Sequence, residues 1–406
     1  MRNNVIIIGA GHAGAMTAIS LRQQKYLGSI LLIGQEEHLP YQRPPLSKGF
    51  LTDSIEEKRL YLKSTAYYEN NDIEIIKNKT VSQISRNKKT IILDDQKEYP
   101  YQKLVIATGS VLNQLDLSCN EVNLHYLRTI EDSLQIKSML NQKQTIAIIG
   151  AGYIGLEIAA AATKKNLKTT VIEMENRVMS RSVCSETSDF FQKKHEQEGV
   201  MFKCNVSVVD VQDYNDQKQI VCKNGTVIDA DGVVVGIGIK PNIELAVNSG
   251  LECDDGIIVD ENGQTSDENI FAVGDCTNHP NNIFQQRLRL ETVHNAVEQA
   301  KSVAASITEN NKSYHQVPWF WSDQYNIKLQ IAGISQDHDH RTIRGSVEQE
   351  KFAVFYQKDN QLVAVEAINS PKEFMIGKKL IEMGNETTFE LIEEMNFDLK
   401  KIIRSI

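Results

Sequence analysis

Two short glycine-rich segments carry the clearest chemical signal in the sequence. Residues 9–14 and residues 150–155 both read G-x-G-x-x-G. In this pattern the first glycine allows a sharp turn out of a strand, the second lets the backbone approach a pyrophosphate, and the third lets the following helix pack on the strand. The free N–H groups and the positive end of the helix dipole then face the phosphates. The motif residues that we predict to bind nucleotide are Gly9, Gly11, Gly14, Gly150, Gly152, Ile154 and Gly155.

The segments around the two motifs are also repeated. Each motif lies between an apolar run and a helix-like segment, and a second apolar run follows. One such match is a weak signal, because any glycine-rich turn between a strand and a helix gives it, but two predict two β-α-β units. Two dinucleotide sites in one chain indicate FAD together with NAD(P), because a hydride must pass between them. The predicted strands are residues 5–8, 30–33, 146–149 and 169–172, and the predicted helices are about residues 13–24 and 154–165.

The residue at the end of the second strand of each unit distinguishes the two nucleotides. In the second unit it is Glu173, whose carboxylate can accept hydrogen bonds from an adenosine ribose and repels a 2′-phosphate. We therefore expect NADH rather than NADPH, although Arg177 and Arg181 lie nearby and arginines can bind a 2′-phosphate. In the first unit the corresponding residue is Gly34, and Glu36 is the predicted ribose contact.

Composition and charge limit the class of protein. The 406 residues are 41% hydrophobic and 24% charged, which is typical of a soluble globular chain and excludes collagen-like, disordered and multi-span membrane classes. The length predicts two or three domains. The net charge of −9 argues against nucleic acid as the main partner, because phosphate binding needs a basic face.

The cysteines indicate neither a redox pair nor a metal site. No C-x-x-C occurs, so we expect reduced thiols and a cytoplasmic protein. The apolar run at residues 5–8 is too short for a secretory leader, and no apolar stretch is long enough to cross a membrane. His338 and His340 have no third partner in the sequence, so no metal ligands are predicted. The six cysteines are Cys119, Cys184, Cys204, Cys222, Cys253 and Cys276.

The remainder of the chain alternates strand-like runs with polar turns. Beyond Pro318 the composition changes, and runs at residues 351–356 and 361–367 predict a hairpin around Asp359 and Asn360. The last thirty or so residues are predicted to be helical. Further strands are predicted at residues 73–76, 90–93, 104–107, 233–235 and 257–259.

Three other motifs resemble those of the glutathione-reductase structural superfamily. Residues 265–275 resemble its second flavin fingerprint, in which Gly274 allows close approach and Asp275 accepts a hydrogen bond from a ribitol hydroxyl. Residues 104–109 resemble its A-T-G motif, and residues 236–242 resemble its G-x-G-x-x-P-N turn.

Three stretches narrow this resemblance. Residues 40–48 read PYQRPPLSK, residues 127–129 read LRT, and residues 317–325 read VPWFWSDQY. Together they resemble the NADH:ferredoxin reductases of bacterial oxygenase systems. The resemblance covers essentially the whole chain, with the motifs in the same order.

The resemblance implies roles for individual residues. Lys48 and Glu157 match an ion pair near the N5 edge of the flavin, and Trp321 matches an aromatic residue that packs at the flavin and faces the partner surface. These three are the predicted catalytic residues. Gln35 stands where the family usually has Asp, so that ribose contact differs here. The predicted FAD-binding residues outside the glycine motif are Ala13, Gln35, Glu36, Arg43, Lys48, Val81, Ala107, Thr108, Gly109, Arg128, Gly274, Asp275, Val293 and Trp321. Outside the second motif, the predicted NADH-binding residues are Glu157, Glu173, Arg181, Gly236, Ile237 and Gly238.

The implied fold is α/β, with two Rossmann-like FAD- and NAD(P)-binding domains, as in glutathione reductase, and a small C-terminal α+β domain. We predict a discontinuous FAD-binding domain of residues 1–112 and 246–315. Residues 113–245 form the predicted NAD-binding domain inserted in it, and residues 316–406 form the C-terminal domain.

The segment before Lys48 also predicts where electrons go. Glutathione reductase carries C-x4-C after its first β-α-β unit, whereas residues 41–48 contain no cysteine. Electrons must therefore leave the flavin to an external acceptor. The resemblance implies an FAD-dependent NADH:ferredoxin oxidoreductase, whose acceptor is a [2Fe–2S] ferredoxin serving a cytochrome P450 or a Rieske oxygenase. Ferredoxins are generally acidic, so docking needs a positive patch near the flavin edge. The predicted docking residues are Lys63, Lys301, Lys328, Arg341 and Arg344.

Two alternative functions remain open from the sequence. The first is a rubredoxin, quinone or monodehydroascorbate-type NADH reductase on the same scaffold. The second is an NADH-responsive interaction protein that resembles apoptosis-inducing factor, in which turnover is incidental. A monomer and a weak homodimer are both compatible with the sequence.

Overall fold

The computed structural model describes residues 4–117, 124–310 and 313–384. This part of the chain contains two parallel five-stranded sheets flanked by helices and one antiparallel five-stranded sheet. The predicted α/β class with two Rossmann-like units and a C-terminal α+β unit is therefore confirmed. No helix among the described residues is long and apolar enough to cross a membrane.

The first parallel sheet contains the first glycine motif. Its central strand, residues 4–8, is flanked by parallel partners on both sides, so apolar residues occupy both of its faces. The elements of this segment are β1 (Asn4–Ile8), α1 (His12–Gln23), β2 (Ser29–Ile33), α2 (Thr65–Asn70), β3 (Ile73–Ile76), β4 (Val81–Ser85), β5 (Thr90–Leu93), β6 (Glu98–Pro100), β7 (Lys103–Ile106) and β8 (Ser110–Leu112).

The second parallel sheet contains the second glycine motif and repeats the β-α-β arrangement. The elements of the segment are β9 (His125–Tyr126), α3 (Ile130–Gln142), β10 (Thr145–Ile149), α4 (Tyr153–Lys164), β11 (Lys168–Ile172), α5 (Ser185–Gln197), β12 (Val200–Lys203), β13 (Val208–Tyr214), β14 (Gln217–Cys222), β15 (Val227–Ala230), β16 (Gly232–Val235) and β17 (Ile239–Pro241). The strands β13–β15 of this segment form a separate antiparallel sheet. The predicted helices and strands of both units are present within one or two residues of their predicted ends.

The chain then returns to the first sheet. The next elements are α6 (Glu244–Asn248), β18 (Cys253–Asp254), β19 (Gly256–Ile258), β20 (Ile270–Ala272), β21 (Thr277–Asn281), β22 (Gln286–Leu288) and α7 (Val293–Ile307). Strand β20 adds to the first sheet beside β7, and α7 packs against α1. Strands β8 and β17 pair antiparallel where the chain leaves and re-enters this unit. The domain limits at residues 112, 245 and 315 remain a prediction.

The third sheet is antiparallel and is covered by one helix. Its elements are β23 (Trp319–Gln324), β24 (Ile327–Gly333), β25 (His340–Ser346), β26 (Lys351–Lys358), β27 (Gln361–Ile368) and α8 (Pro371–Met383). The predicted hairpin around Asp359 and Asn360 joins β26 to β27. Helix α8 accounts for the start of the predicted C-terminal helical region, and residues 385–406 lie outside the described residues. His340 is the first residue of β25.

The third sheet packs on the second unit through a shared apolar core. Phe190 on α5 and Phe352 on β26 meet edge to face, with ring centroids 5.3 Å apart. Ile327, Leu329 and Val354 of the sheet lie in the same cluster as core residues of the second unit. This packing places β23 against α4, and that contact positions part of the site described next.

Candidate active site

One cavity of about 1420 Å³ is lined by both glycine motifs. Nearly all residues predicted from sequence to bind cofactor line this cavity. Gly14, Gly155 and Gly274 do not, because they lie beneath its surface in contact with neighbouring backbone or side chains. The predicted residues that line the cavity are Gly9, Gly11, Ala13, Gln35, Glu36, Arg43, Lys48, Val81, Ala107, Thr108, Gly109, Arg128, Gly150, Gly152, Ile154, Glu157, Glu173, Arg181, Gly236, Ile237, Gly238, Asp275, Val293 and Trp321.

The glycines of the first motif occupy three different environments. A Cβ on Gly14 would lie 1.9 Å from the carbonyl oxygen of Gly9, and one on Gly9 would lie 2.2 Å from that of Ala107. A Cβ on Gly11 would meet no atom within 4 Å. The outer glycines are therefore required by the fold, whereas the middle glycine keeps space open above the start of α1.

The second motif has the same geometry. A Cβ on Gly155 would lie 2.1 Å from the carbonyl oxygen of Gly150, whereas one on Gly152 would meet nothing within 4 Å. Open space above a helix N-terminus is what a pyrophosphate needs. Both loops therefore fit a dinucleotide.

A polar cluster surrounds Glu36 at the end of the first unit. Its carboxylate accepts hydrogen bonds from the guanidinium of Arg43 at 2.6 Å and from the hydroxyl of Tyr41 at 2.5 Å. The Arg43 guanidinium also lies over the Tyr41 ring, 5.1 Å from its centroid. Burial raises the pKa of Tyr41, so its hydroxyl stays protonated and donates. The predicted ribose contact is thus held in place at the cavity wall, beside Gln35.

The Glu173 side chain is hydrogen-bonded to the second glycine loop. Its carboxylate accepts hydrogen bonds from the backbone N–H of Ala151 at 2.6 Å and from that of Glu175 at 2.9 Å. The nearby Arg177 donates to three backbone carbonyl groups, whereas the exposed Arg181 lines the cavity. Of the two arginines, only Arg181 therefore faces the space in which a nucleotide would lie.

Asp275 lines the cavity near the start of helix α1. Its carboxylate accepts a hydrogen bond from the Ser110 hydroxyl at 3.1 Å and lies 3.7 Å from the guanidinium of Arg128. The pKa of His12 is lowered, mainly by burial and also by Arg43, so the imidazole stays neutral. These groups fit the hydroxyl-rich chain of a flavin nucleotide.

Lys48 and Glu157 form an ion pair at the cavity wall. The ammonium nitrogen lies 2.7 Å from Glu157 Oε2, and the Glu157 side chain is only 2% exposed. The hydroxyls of Ser47 and Ser322 also donate to this carboxylate, each at 2.5 Å. Three segments therefore meet here: the turn before Lys48, helix α4 and strand β23. A buried charge pair of this kind is retained only where further hydrogen bonds satisfy it.

Aromatic side chains cover the cavity beside this pair. Phe320 and Trp321 on β23 line it, and Phe320 packs on Tyr153 of α4 with centroids 4.5 Å apart. Trp321 packs on Trp319 at 5.5 Å. Tyr153, Ser47 and Ser322 were not predicted from the sequence as site residues, although each lies within one of its motifs.

The thiols lie away from the cavity. None of the five cysteines among the described residues lines it, and Cys119 lies outside those residues. Cys276 is fully buried, and burial raises the pKa of its thiol to about 11. This supports its interpretation as a structural residue.

The predicted docking residues are dispersed and mostly paired. The ammonium of Lys63 lies over the Tyr67 ring, and Lys301, Lys328 and Arg341 lie near the carboxylates of Glu298, Asp323 and Glu186. None of the five predicted residues lines the cavity.

Arg344 does not belong to the predicted docking patch. It is only 8% exposed, so its selection as a docking residue was wrong. It lies on β25, the strand at one edge of the third sheet, and its side chain is nevertheless buried. The structure adds Lys378 instead, whose ammonium lies 5.8 Å from the ring centroid of Trp319, next to Trp321.

Comparisons with known proteins agree with this architecture. Residues 3–300 match the family described as pyridine nucleotide-disulphide oxidoreductase, and residues 319–403 match the reductase C-terminal family. Rhodocoxin reductase of Rhodococcus erythropolis is 40% identical over 98% of this chain and 94% of its own length. Rubredoxin-NAD(+) reductase of Pseudomonas putida is 39% identical over 91% of this chain and 96% of its own length.

A solved structure extends the similarity to three dimensions. In the covalent complex of putidaredoxin reductase with putidaredoxin, the reductase superposes with a TM-score of 0.96 at 36% identity, covering 99% of this chain and 98% of that chain. The chain therefore belongs to the pyridine nucleotide-disulphide oxidoreductase family, as an NAD(P)-dependent flavoprotein of the ferredoxin reductase type, and this family implies FAD and NAD(P) as cofactors.

Proposed function

We propose that this protein transfers electrons from NADH, through FAD, to a [2Fe–2S] ferredoxin that serves a cytochrome P450 or a Rieske oxygenase. One observation carries the proposal. The two glycine loops line one cavity, and the Lys48–Glu157 pair lies on its wall together with Trp321. A flavin held by one loop and a nicotinamide held by the other would thus share the same enclosed space.

The chain's own residues supply binding and orientation. FAD, when bound, accepts two electrons from NADH as a hydride and passes them on singly. Lys48 and Glu157 give this region a fixed charge arrangement, which is worth more in a site that excludes water. Trp321 and Phe320 exclude water from the cavity beside them. Such positioning supplies much of the rate enhancement when two bound groups must approach closely.

The nucleotide preference rests on the second glycine loop. Glu173 stays beside the loop because two backbone N–H groups hold its carboxylate. A fixed negative charge there repels a 2′-phosphate and accepts hydrogen bonds from ribose hydroxyls. Arg177 donates its hydrogen bonds to backbone carbonyls. Of the two nearby arginines, Arg181 is therefore the one that could bind a 2′-phosphate and weaken the preference for NADH. These contacts support NADH as the physiological donor.

The acceptor is proposed from the wall of the cavity and from the relatives. With no cysteine among the described residues lining the cavity, electrons need an acceptor from outside the chain. Putidaredoxin reductase, similar to this chain over nearly its full length, has been crystallised as a covalent complex with putidaredoxin. A half-buried aromatic and cationic edge formed by Trp319, Trp321 and Lys378 adjoins the cavity and suits an acidic partner.

A second candidate acceptor is a rubredoxin. The relatives named rubredoxin-NAD(+) reductase are about as similar to this chain as the ferredoxin reductases, at 39% and 38% identity. The same cavity serves either function, so only the protein surface around it distinguishes them.

Rapid mixing of the flavin-loaded protein tests the proposal. We expect NADH to bleach the flavin much faster than NADPH does. The reduced protein is then mixed with a panel of [2Fe–2S] ferredoxins and with a rubredoxin. Rapid reduction of at least one ferredoxin supports the proposal, and rapid reduction of rubredoxin alone favours the second candidate. Fast bleaching without transfer to any carrier would contradict both.

A further inference from the structure

A chain of buried polar side chains begins at Glu157 and leads into the interior. The hydroxyl of Ser322 donates to Glu157 Oε1 at 2.5 Å, and Nε2 of Gln324 lies 3.2 Å from that hydroxyl oxygen. Nε2 of His195 lies 2.8 Å from Oε1 of Gln324. Glu157 is 3% exposed, and the other three residues are at most 1% exposed. We refer to Ser322, Gln324 and His195 as the support chain of Glu157.

The direction of each hydrogen bond follows from the groups involved. An ionised carboxylate only accepts, so the Ser322 hydroxyl donates to Glu157 and its oxygen accepts from the Gln324 amide nitrogen. The Gln324 oxygen then needs a donor, which is His195 Nε2–H. The network thereby also assigns the amide orientation and the tautomer. All three hydrogen bonds point towards the carboxylate.

The outer end of the support chain completes this assignment. Nδ1 of His195 lies 3.1 Å from the hydroxyl of Tyr325, which lies 3.2 Å from the hydroxyl of Thr163. With Nε2 protonated, Nδ1 accepts from Tyr325. Burial lowers the pKa of His195 to about 4, which keeps the imidazole neutral at pH 7. Every nitrogen of the ring is therefore satisfied in a single protonation state.

We propose that Ser322, Gln324 and His195 are positioning residues, which hold the Glu157 carboxylate aimed at Lys48 and thereby fix the arrangement of charge beside the flavin. This inference rests on the proposed function for its relevance to turnover. Aligned neutral dipoles stabilise a buried negative charge strongly, because the local dielectric is low and successive hydrogen bonds polarise one another. The support chain joins strand β23 and helix α5 to helix α4, so its effect depends on how the third sheet packs on the second unit.

Packing alone would not require this arrangement. Much of the core around Phe190 and Phe352 is apolar. A second buried carboxylate there, that of Glu366, accepts a hydrogen bond from the Tyr356 hydroxyl at 2.6 Å. A neutral histidine and an amide at 0% and 1% exposure lose their hydration, and apolar residues of similar size would fill the same space. The support chain instead forms a connected path that ends on Glu157, which lines the cavity.

Three substitutions test the role. Ser322→Ala removes the donor to Glu157, and His195→Phe removes the donor to Gln324. His195→Gln keeps an N–H group at about the position of Nε2. We expect Ser322→Ala to slow NADH-dependent bleaching about tenfold, as loss of one hydrogen bond to a charged group would. His195→Phe should slow it less, about threefold, because the lost hydrogen bond joins two neutral groups. The flavin midpoint potential should also become more positive, because the ammonium of Lys48 is then less well compensated. His195→Gln should lie closer to the wild type in both measurements.

Ser188→Ala is the matched control. Ser188 also lies on α5 at 0% exposure, and its hydroxyl donates to the carbonyl oxygen of Val178 at 2.6 Å, outside the support chain. We expect this variant to lose thermal stability while keeping the bleaching rate and the flavin potential. If Ser322→Ala and His195→Phe behave in the same way, the support chain only stabilises the fold, and the proposal is wrong.

The result does not depend on the identity of the electron acceptor. The flavin potential and the imidazole ¹⁵N spectrum of the oxidised holoprotein are measured without any carrier. The spectrum should show His195 protonated at Nε2 alone, and protonation at Nδ1 would overturn the assignment. Failure to reduce any ferredoxin would contradict the proposed function, yet it would leave these two measurements to decide the role of the support chain.

Discussion

At the scale of single residues, the glycines of each motif have two different roles: some are required for stability, and the middle one leaves space for the ligand. Gly11 and Gly152 have extended φ values near −75° and free space above Cα, whereas Gly14 and Gly155 touch the backbone of the first motif glycine. The same residue type is thus required for two different physical reasons within six positions.

Alanine substitutions test the stability role and the ligand-binding role of these glycines separately. Gly11→Ala should leave the thermal stability of the flavin-free protein unchanged but lower its FAD content after purification, because the new methyl group occupies the phosphate space. Gly152→Ala should retain FAD and raise KM for NADH about tenfold or more, a loss of about 1.4 kcal/mol of binding. Gly14→Ala is the contrasting control, since its Cβ would lie 1.9 Å from a carbonyl oxygen and should destabilise the fold. Equal flavin content in Gly11→Ala and the wild type would contradict the assignment.

Glu173 gives a second prediction at this scale. Glu173→Ala should lower kcat/KM for NADH about tenfold, because ribose hydrogen bonds and the fixed carboxylate are lost. The same change should raise kcat/KM for NADPH, because the repulsion of its 2′-phosphate disappears. Ferricyanide is a suitable acceptor for both measurements. Arg181→Ala is the matched variant and should reduce only the activity with NADPH. An unchanged ratio of the two nucleotides in Glu173→Ala would show that the preference lies elsewhere.

At the scale of elements, the hairpin of the third sheet shows how turn chemistry fixes a register. Asp359 and Asn360 have φ values of 49° and 61°, and Lys358 pairs directly with Gln361. Two consecutive left-handed residues in a two-residue loop form the turn whose twist matches the flanking strands. Asn and Asp tolerate this conformation better than other non-glycine residues.

Substitutions at Asn360 test this explanation. Asn360→Gly should preserve or slightly raise the free energy of unfolding, because glycine adopts a positive φ without steric cost. Asn360→Val should lower it by about 1–2 kcal/mol, since a β-branched residue is strained there. Gln361→Val, one residue on and in the strand, is the control and should be tolerated, because strands favour β-branched residues. Urea unfolding monitors all three, and equal midpoints for the two valine variants would contradict the turn assignment.

The elements also show what the sequence could and could not predict. Local signals were sufficient for the two β-α-β units and for the hairpin, whereas cavity residues such as Val81 and Arg128 were predicted from the family resemblance. Contacts between distant segments were not predictable: Ser322 meets Glu157 across 165 residues, and Gln324 meets His195 across 129. Arg344 was misjudged because a charge on an edge strand gives no sign in the sequence that its side chain is buried in the folded protein.

At the scale of the whole molecule, two buried histidines and one half-buried histidine make stability depend on pH. Burial lowers the pKa of His195, His279 and His294 to about 4, with Arg287 and Lys378 adding to the shift at His279 and His294. In the unfolded chain a histidine binds its proton near pH 6.5, so between pH 6.5 and 4 the unfolded state holds more protons. Stability therefore falls as the pH falls through this window.

His279→Gln isolates one of these contributions. Neither ring nitrogen of His279 has a hydrogen-bond partner among the described residues, and the residue is 2% exposed. Between pH 7.5 and pH 5, the unfolding free energy of the wild type should fall by about 2 kcal/mol more than that of His279→Gln. Only the wild type takes up a proton at His279 when it unfolds, and it does so over about 1.5 pH units below pH 6.5. Burial raises the pKa of Glu366, which has the opposite pH dependence, but this contribution cancels in the difference between the two proteins. Parallel stability curves would contradict the assignment.

Electrostatic docking is the second property of the whole molecule. The net charge of −9 repels an acidic ferredoxin at long range, so association must depend on local cations near the cavity. Lys378 lies over Trp319, beside Trp321, and Lys301 lies on α7, whose first residue, Val293, lines the cavity. Lys301 is paired with Glu298 at 2.6 Å, so its net contribution is smaller than that of Lys378.

Charge reversal tests this docking edge. Lys378→Glu should slow the reduction of an acidic ferredoxin about tenfold at low salt, Lys301→Glu should slow it less, and both effects should shrink as ionic strength rises. Reduction of ferricyanide by NADH should stay unchanged, because it needs no protein docking. Lys168→Glu is the control: this exposed residue opens β11 at the end of the strand opposite Glu173, so its charge lies away from the cavity. Equal slowing with ferredoxin and ferricyanide would mean that the substitution disturbs the flavin site, and an equal effect of Lys168→Glu would mean that net charge, and not a local edge, controls association.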